Sequence, residues 1–421
     1  MVEVSSIGTQ AVAGVINIVT RNAQSRDASG QVNLGLDSFM GRNGDARIER
    51  IFSNGLGDLG LLAYVSHNVS EGYQPYRSSQ ITATVSDRKR SYEVSTFGAK
   101  AAQSLGEDSR LELFYQYSAA NLDFLRPDAN RRTTNDRVQQ IATATFEQRL
   151  NTDFSYFVKG HMNDWDTRYT RVYNNTDGST RTLNHDDYWG FSDWGMQAEG
   201  KAVLPGEHTL VFGTDNQWFK GKDDVLKIDN NQAEAHALYV QLRPVIDALP
   251  DWHPSIGVRR EHLSGGDSAT VGMLTSLYDL TDQLKLRGQF GTAYKLPNAE
   301  QLYVNEPGDE MGNPNLKPEK SRNAELGLDY TGLIQGQPYS LSGTLFTRRI
   351  EDLITIVDAQ WVNGDGEIQV RGVEVNGQFQ LSDRWQLAAD MTRNLSESRN
   401  GATLNNTPGF FARSRLGYES G

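Results

Sequence analysis

Residues 291–319 read GTAYKLPNAEQLYVNEPGDEMGNPNLKPE and separate two runs of strictly alternating polarity. In the run before them, Leu284, Leu286 and Phe290 share one face, and residues 324–330 alternate in the same way after them. Alternation with a period of two is typical of strands that are exposed on one face. The stretch itself is rich in Pro, Asn, Gly and acidic residues, which favours a long loop between two strands.

Similar alternating runs fill the chain from Gly30 onward. Short connections rich in turn-forming residues, such as 54–58 and 105–108, alternate along the chain with longer polar stretches. These longer stretches are residues 68–91, 119–136, 166–192, 221–233 and 295–321. Short turns on one side of a sheet and long loops on the other are typical of a transmembrane β-barrel. The runs number about 18, and we predict an all-β fold, an antiparallel up-and-down transmembrane β-barrel.

One of these runs changes phase. Its apolar residues occupy even positions at Ile368 and Val370 but odd positions at Val373 and Val375. Because Gly372 lies at the change, we predict a β-bulge at residues 371–373.

The composition of the 421 residues narrows the function classes. A net charge of −12 argues against nucleic-acid binding, and the lack of Cys excludes disulfides and thiolate metal sites. No apolar run reaches the ~18–20 residues of a transmembrane helix, whereas a membrane barrel needs strands of only ~10 residues. The opening MVEVSSIGTQ lacks the basic and apolar regions of a signal peptide, so we expect an exported precursor to begin further upstream.

Three segments resemble the TonB-dependent outer-membrane receptors, the family of siderophore and cobalamin receptors. Residues 291–319 match the late-barrel pattern of the family, 13–21 (AGVINIVTR) resemble the last strand of its plug domain, and 371–375 (RGVEV) resemble a segment common in these receptors. The matching residues of the first segment are Gly291, Tyr294, Lys295, Pro297, Leu302, Tyr303, Gly312, Asn313, Pro314, Leu316, Pro318 and Glu319.

The resemblance implies a domain division. Residues 1–25 would be the remnant of a plug domain, and residues 26–421 would be a barrel truncated at its C-terminus. The family barrel has about 22 strands, so this chain would be an incomplete barrel that lacks about two hairpins. Unpaired sheet edges are costly in lipid, and we expect the edges at residues 30–37 and 409–418 to lie apart or to be joined imperfectly.

The resemblance also implies a transporter with neither enzymatic activity nor a cofactor. In the family, external loops bind a scarce nutrient, and the plug closes the lumen until an energy-transducing partner of the TonB type pulls it. A ferric siderophore or a similar metal chelate is the expected ligand, and a cobalamin receptor and a passive porin are the alternatives. With the plug mostly missing, we expect the TonB box to be absent too.

The implied location is the outer membrane of a Gram-negative bacterium. There the protein would be a monomer in contact with the lipid bilayer and lipopolysaccharide, without nucleic acid.

Aromatic and basic residues are concentrated in residues 161–194, which we predict to be a loop. Exposed aromatic side chains are costly unless they bury something, and aromatic faces beside Arg suit anionic aromatic chelates such as ferric catecholates. The alternative is that these rings form an interfacial girdle or pack the loop. The predicted ligand-binding residues are Trp165, Arg168, Tyr169, Tyr188, Trp189 and, in the segment 291–319, Tyr303.

Other polar residues carry weaker signals. Lys285, Arg287 and Arg348 are expected to face the lumen, where they would guide an anion or pair with a plug. Residues 185–187 (HDD) have the composition of a protease loop tip, but a solvated loop is the simpler interpretation. Asp223, Asp224 and Asp229 offer oxygen ligands for Ca²⁺, but their spacing matches no specific loop and exposed acids are the simpler interpretation. We therefore predict neither catalytic residues nor a metal site.

Overall fold

The computed structural model describes residues 21–24, 28–87, 89–264, 268–306, 310–364, 366–398 and 408–419. Over these ranges, eighteen strands form one large sheet and four short strands form a second sheet. Within these ranges helix α1 spans Ala299–Tyr303, and a 3₁₀ turn spans Ser78–Gln80. In the part of the chain so described, no helix has the length and apolar character needed to cross a membrane.

The strands of the large sheet are β1 (Ala28–Leu36), β2 (Arg42–Asn54), β3 (Gly57–Tyr73), β4 (Arg90–Ser104), β5 (Ser109–Asp123), β6 (Asn130–Arg149), β7 (Phe154–Asn174), β8 (Thr180–Leu204), β9 (His208–Asp223), β10 (Ile228–Arg243), β11 (Trp252–Leu263), β12 (Ser268–Asp279), β13 (Leu284–Lys295), β16 (Glu319–Ile334), β17 (Gln337–Glu351), β20 (Ile368–Ser382), β21 (Trp385–Ser398) and β22 (Phe410–Tyr418). Those of the small sheet are β14 (Asn305–Glu306), β15 (Glu310–Met311), β18 (Ile354–Val357) and β19 (Gln360–Asn363).

Each strand of the large sheet pairs in antiparallel fashion with the strands before and after it along the chain, and β13 pairs with β16 and β17 with β20 across the small sheet. This topology confirms the predicted up-and-down β-barrel and the predicted number of strands. At the ends, β1 pairs with β2 and β22 pairs with β21. Across the described residues no ladder joins β1 to β22, as expected for edges that lie apart.

The two faces of the sheet differ as the alternation predicts. In β5, Leu113, Tyr115 and Tyr117 are 47%, 38% and 38% exposed, whereas Phe114 and Gln116 between them are half-buried. We call the face with the exposed apolar side chains the outer face and the opposite one the lumen face. An apolar outer face with a polar inner face is the arrangement that lipid outside and water or a plug inside require.

Aromatic side chains gather on the outer face near the short turns. The Trp385 and Tyr418 rings lie 4.8 Å apart, and the Tyr339 ring stacks on Phe379 with 6.1 Å between centroids. Rings with one polar end are stable at the boundary between hydrocarbon and headgroups. A band of this kind on the short-turn side is typical of an interfacial girdle.

The prediction of a long loop at residues 161–194 is wrong, because β7 and β8 run through almost all of it. The connection between these strands is only residues 175–179, and the polar stretch 119–136 is likewise mostly strand, whereas residues 74–89 do form a long connection between β3 and β4. Beyond the bilayer both faces of a strand meet water, so the side chains no longer alternate in polarity. The backbone ladder needs no apolar face and continues past the point where the sequence pattern ends.

The prediction of a β-bulge at residues 371–373 is also wrong. Strand β20 keeps one register with β17 through this segment, and its irregularity lies between Gln380 and Ser382 opposite β21. Gly372 has a different role, because a Cβ there would lie 2.4 Å from the Phe346 ring. The change of phase has another cause: Ile368 and Val370 lie on the lumen face, and Val373 and Val375 lie on the outer face.

The plug-like segment 13–21 lies outside the described residues except for Arg21. Residues 21–24 lie against the lumen face of β2–β5 near their short turns. The Arg21 guanidinium donates to both carboxylate oxygens of Glu49 at 2.9 and 2.7 Å. Ala23 is fully buried against Leu62 and Ala102. The chain therefore enters the sheet through a defined contact with its inner wall.

Candidate ligand-binding site

The segment 291–319 forms a compact platform at the long-loop end of the sheet. Asn298 caps helix α1, since its side chain accepts from the Gln301 backbone N–H while the Gln301 side chain accepts from the Asn298 N–H. The Asn313 N–H donates to the Gln301 carbonyl, and the Gly312 N–H donates to the Val304 carbonyl. The family-motif residues Gly312 and Asn313 thus help to fix the loop conformation.

A second loop completes this platform. Strands β18 and β19 form a hairpin, and β15 pairs with β19 in parallel. The Trp361 indole N–H donates to Glu310 at 2.7 Å, and the Asn313 amide donates to the Trp361 carbonyl at 3.0 Å. Glu319 is buried and accepts from the Ile354 N–H. Tyr303, at the end of α1, stays 41% exposed on this platform, where a ligand can reach its ring.

A cluster of cationic and aromatic side chains lies on the lumen face of β6, β7 and β8, towards the long-loop end. The Arg137 guanidinium lies 4.2 Å from the Trp165 ring centroid and 5.9 Å from that of Trp189. The Trp165 ring contacts the rings of Trp189 and Phe191, each at 5.5 Å. The Trp165 N–H donates to Thr167 at 2.8 Å, which fixes the indole in place. We call Arg137, Trp165, Trp189 and Phe191 the lumen cluster.

Tyr169 extends this surface towards the loops. It lies on the same face of β7 as Trp165 and is 9% exposed. The Arg126 guanidinium, in the loop between β5 and β6, donates to the Tyr169 hydroxyl at 2.9 Å. A second cation therefore stands beside the cluster.

Two of the predicted residues lie elsewhere. Arg168 and Tyr188 are paired across β7 and β8 and lie on the outer face, because residues one position apart in a strand point to opposite sides. The Tyr188 hydroxyl donates to Asp166 at 2.6 Å, and the Arg168 guanidinium lies 5.3 Å from the Tyr188 ring. Trp165, Tyr169 and Trp189 come together on the lumen face, and Arg168 and Tyr188 do not join them.

The sequence prediction did not include Arg137, Arg126 or Phe191. Phe191 could have been found from the sequence, because it follows Trp189 by two residues and residues two positions apart in a strand share a face. Arg137 joins the cluster through the register of β6 against β7, in which it is paired with Thr167, and the sequence offers no local signal for this pairing.

The three cations predicted to face the lumen have partners in the wall. Lys285 pairs with Asp279 at 2.8 Å, and Arg287 pairs with Asp329 at 2.9 Å. Arg348 donates to Asn323 at 2.8 Å. These contacts hold the three side chains against the inner wall.

The acidic groups have local roles. The Asp223 carboxylate accepts from the Val225 and Leu226 N–H groups and so shapes the turn after β9. Asp187 accepts from the Asn184 amide at 2.8 Å. Within the described ranges no three His, Asp or Glu side chains are grouped so as to hold a metal ion.

One carboxylate of the platform is electrostatically unusual. Burial raises the pKa of Glu300 above its ordinary value of 4.5, and the nearby charges of Glu310 and Asp223 act in the same direction. The charged form of Glu300 is therefore disfavoured in the folded platform.

Comparison with known proteins places the sheet in a family. Residues 53–421 match the family model described as TonB dependent receptor-like, beta-barrel. The chain belongs to the TonB-dependent receptors. Members of this family are transporters of the outer membrane of Gram-negative bacteria and are not enzymes.

Individual TonB-dependent receptors are similar to this chain at low identity. It is 30% identical to the vitamin B12 transporter BtuB of Photobacterium profundum over 182 residues, which is 40% of this chain and 28% of that protein. It is 25% identical to the iron-regulated outer membrane virulence protein of Vibrio cholerae over 435 aligned positions, 94% of this chain and 61% of that protein. The chain thus spans less than two thirds of these relatives.

Among solved structures, the siderophore receptor PirA from Acinetobacter baumannii has the same fold. The superposition has a TM-score of 0.80 at 16% identity and covers 98% of this chain and 68% of that one. At this identity the likeness concerns the fold alone.

Proposed function

We propose that the protein is a receptor that imports a ferric siderophore, or a similar anionic metal chelate, across the outer membrane. The observation that carries this proposal is the lumen cluster, in which Arg137 lies over Trp165 and beside Trp189. In this proposal residues 26–421 are the barrel, and residues 1–25 are the end of a plug domain.

The chemistry of the cluster suits such a ligand. A ferric catecholate presents flat aromatic rings and negative charge, and the cluster offers indole faces together with guanidinium groups. Tyr169 and Arg126 add a hydroxyl and a second cation on the same face. Tyr303 would contact the ligand from the platform, and Arg168 and Tyr188, on the outer face, would act only on the shape of the β7–β8 hairpin.

Release of the ligand into the periplasm needs a partner in this proposal. An energy-transducing protein of the TonB type would act on the plug, because the barrel wall holds no source of energy. Arg21 is paired with Glu49, so the pulled segment would lie upstream of this contact.

Cobalamin is the second candidate ligand, because one of the similar proteins is named as a vitamin B12 transporter. Cobalamin carries a large corrin ring that could also stack on the indoles. The two proposals differ in the need for cations, since Arg137 and Arg126 have a clear role only with an anionic ligand.

Growth of a gene-deletion strain separates the candidates. The siderophore proposal expects a defect on low iron that the intact gene corrects, and the cobalamin proposal expects a defect only on low cobalamin. Uptake that continues without the energy-transducing partner would indicate passive diffusion, and no defect in either medium would contradict both import proposals.

A further inference from the structure

A deep groove crosses the outer face of β2–β8. It has a volume of about 1140 Å³ and an almost wholly apolar lining. Its floor is made of small side chains, among them Ala63, Ala99, Ala142 and Gly160, and Trp194 closes one end. Exposed large apolar residues such as Leu61 (41%), Leu113 (47%) and Met162 (40%) stand along it.

The groove follows the cross-strand pairing. Ile48, Ala63, Ala99, Tyr115, Ala142, Met162 and Trp194 are successive partners in one row from β2 to β8. Six strand spacings of ~4.8 Å make this row about 29 Å long. Strands of a membrane barrel are tilted by ~40°, so a row across them climbs obliquely through the bilayer.

Arg50 lies at the lower end of the groove. It is four residues from the end of β2 at the short turn, whereas Trp194 is ten residues from the end of β8. Its side chain is on the outer face with Leu61, its partner in β3, and its guanidinium lies 5.0 Å from the Phe52 ring. Among the described residues, no carboxylate pairs with Arg50. A guanidinium on the lipid face this near the short turns extends to the headgroup level, where lipid phosphates are anionic partners from outside the chain.

We propose that this groove binds one phospholipid of the periplasmic leaflet, with its phosphate on Arg50 and an acyl chain along the row towards Trp194. Short turns of outer-membrane barrels face the periplasm, which places Arg50 at the headgroups of that leaflet. The guanidinium donates to the phosphate oxygens, and the aromatic and aliphatic walls enclose the chain. The assignment rests on the proposed outer-membrane location.

The test is lipid retention by the full chain purified from outer membranes in mild detergent. Native mass spectrometry would count bound phosphatidylglycerol, and titration would give its affinity. The wild type is expected to retain one phospholipid per chain. Arg50→Gln is expected to bind about fivefold more weakly, because one basic contact to an anionic headgroup is lost, and Ala142→Leu is expected to displace the acyl chain by filling the floor.

The matched control is Ala389→Leu, which adds the same bulk to the outer face of β21 and is expected to retain lipid like the wild type. Equal retention by all four proteins would overturn the proposal. Displacement of phosphatidylglycerol by lipid A, or a mass equal to two chains instead of a lipid adduct, would overturn it in favour of lipopolysaccharide or a second copy. Absence of the protein from the outer-membrane fraction would contradict the proposed function itself. Presence of the protein in that fraction without a bound phospholipid would contradict only the lipid site, so the two failures can be distinguished.

Discussion

The guanidinium carbon of Arg137 lies 4.2 Å from the centroid of the Trp165 ring, across the ladder between β6 and β7. Both side chains are held in place without a ligand. The Trp165 indole donates a hydrogen bond to Thr167, and the Arg137 guanidinium packs against the indoles of Trp165 and Trp189. A preorganised surface loses little side-chain entropy when it binds.

Replacing Trp165, Tyr169 and Trp189 with Ala in the full-length protein should weaken the binding of a ferric catecholate at least tenfold. Each aromatic contact with a cation or ring contributes about 0.5–2 kcal/mol, and the three act on one face. The dissociation constant can be measured by quenching of intrinsic fluorescence or by calorimetry.

The control for this change is Tyr188→Ala, in the same hairpin but on the outer face. It should leave the dissociation constant within about twofold, because Tyr188 contacts Asp166 and not the lumen. A larger loss for Tyr188→Ala than for the triple variant would mean that the outer face binds the ligand.

Gly312→Ala should loosen the platform without unfolding the sheet. A Cβ at this position would lie 2.5 Å from the Tyr303 backbone N, so the contact between Gly312 and the end of α1 cannot form. Overpacking of this kind costs about 1–3 kcal/mol. Hydrogen exchange of the Gly312 and Asn313 amides should accelerate about tenfold or more.

Gly366→Ala is the matched control in a neighbouring loop, because a Cβ there meets nothing within 4 Å. Equal exchange rates in the two variants would show that the close approach at Gly312 does not hold the platform.

Acidification should stabilise α1. The pKa of Glu300 is raised in the folded platform above its ordinary 4.5, so its favourable contribution is fully present below pH 4.5 and is lost as the pH rises through the raised value. Protection of the Val304 amide, which donates to the Glu300 carbonyl, should therefore increase as the pH is lowered from neutral towards the ordinary value of 4.5, after correction for intrinsic exchange. Glu300→Gln should abolish most of this dependence, and the same pH dependence in that variant would assign it to another group.

Glu49→Gln should release residues 21–24 from the wall. The change leaves the Arg21 guanidinium without the carboxylate that it contacts through two hydrogen bonds. Hydrogen exchange or protease cleavage near Ala23 should become faster, whereas Glu93→Gln, on the outer face of β4, should have no such effect. An unchanged rate in Glu49→Gln would mean that the burial of Ala23 and the hydrogen bonds from Gln24 to Asp58 and Ala102 hold the segment without the carboxylate.

The fold could be predicted because lipid imposes alternation on every strand that crosses it. The sequence alone indicates that Leu113, Tyr115 and Tyr117 lie on one face of a strand. The number of strands follows from counting such alternating runs. The lengths of β7 and β8 could not be predicted, because residues 164–190 lie where both faces meet polar surroundings and the sequence pattern no longer depends on the backbone pairing.

The site was predictable in part. Aromatic enrichment indicated the β7–β8 region. Odd and even positions of a strand point to opposite faces, so the residue numbers alone would have separated Trp165, Tyr169 and Trp189 from Arg168 and Tyr188. The place of Arg137 depends on the register between β6 and β7, and that of Arg126 on the course of a loop. Neither is encoded by spacing in the sequence.

The long ladder between β7 and β8 also limits how this receptor could change during evolution. Because successive residues point to opposite sides, an insertion or deletion of a single residue within β7 below Trp165 would exchange the two faces. Arg168 would then enter the lumen, and Trp165 and Tyr169 would leave it. Length changes in the connection at 175–179 would leave both faces intact, so we expect natural variants of this hairpin to differ in length at its tip and to change ligand preference by substitution on the lumen face.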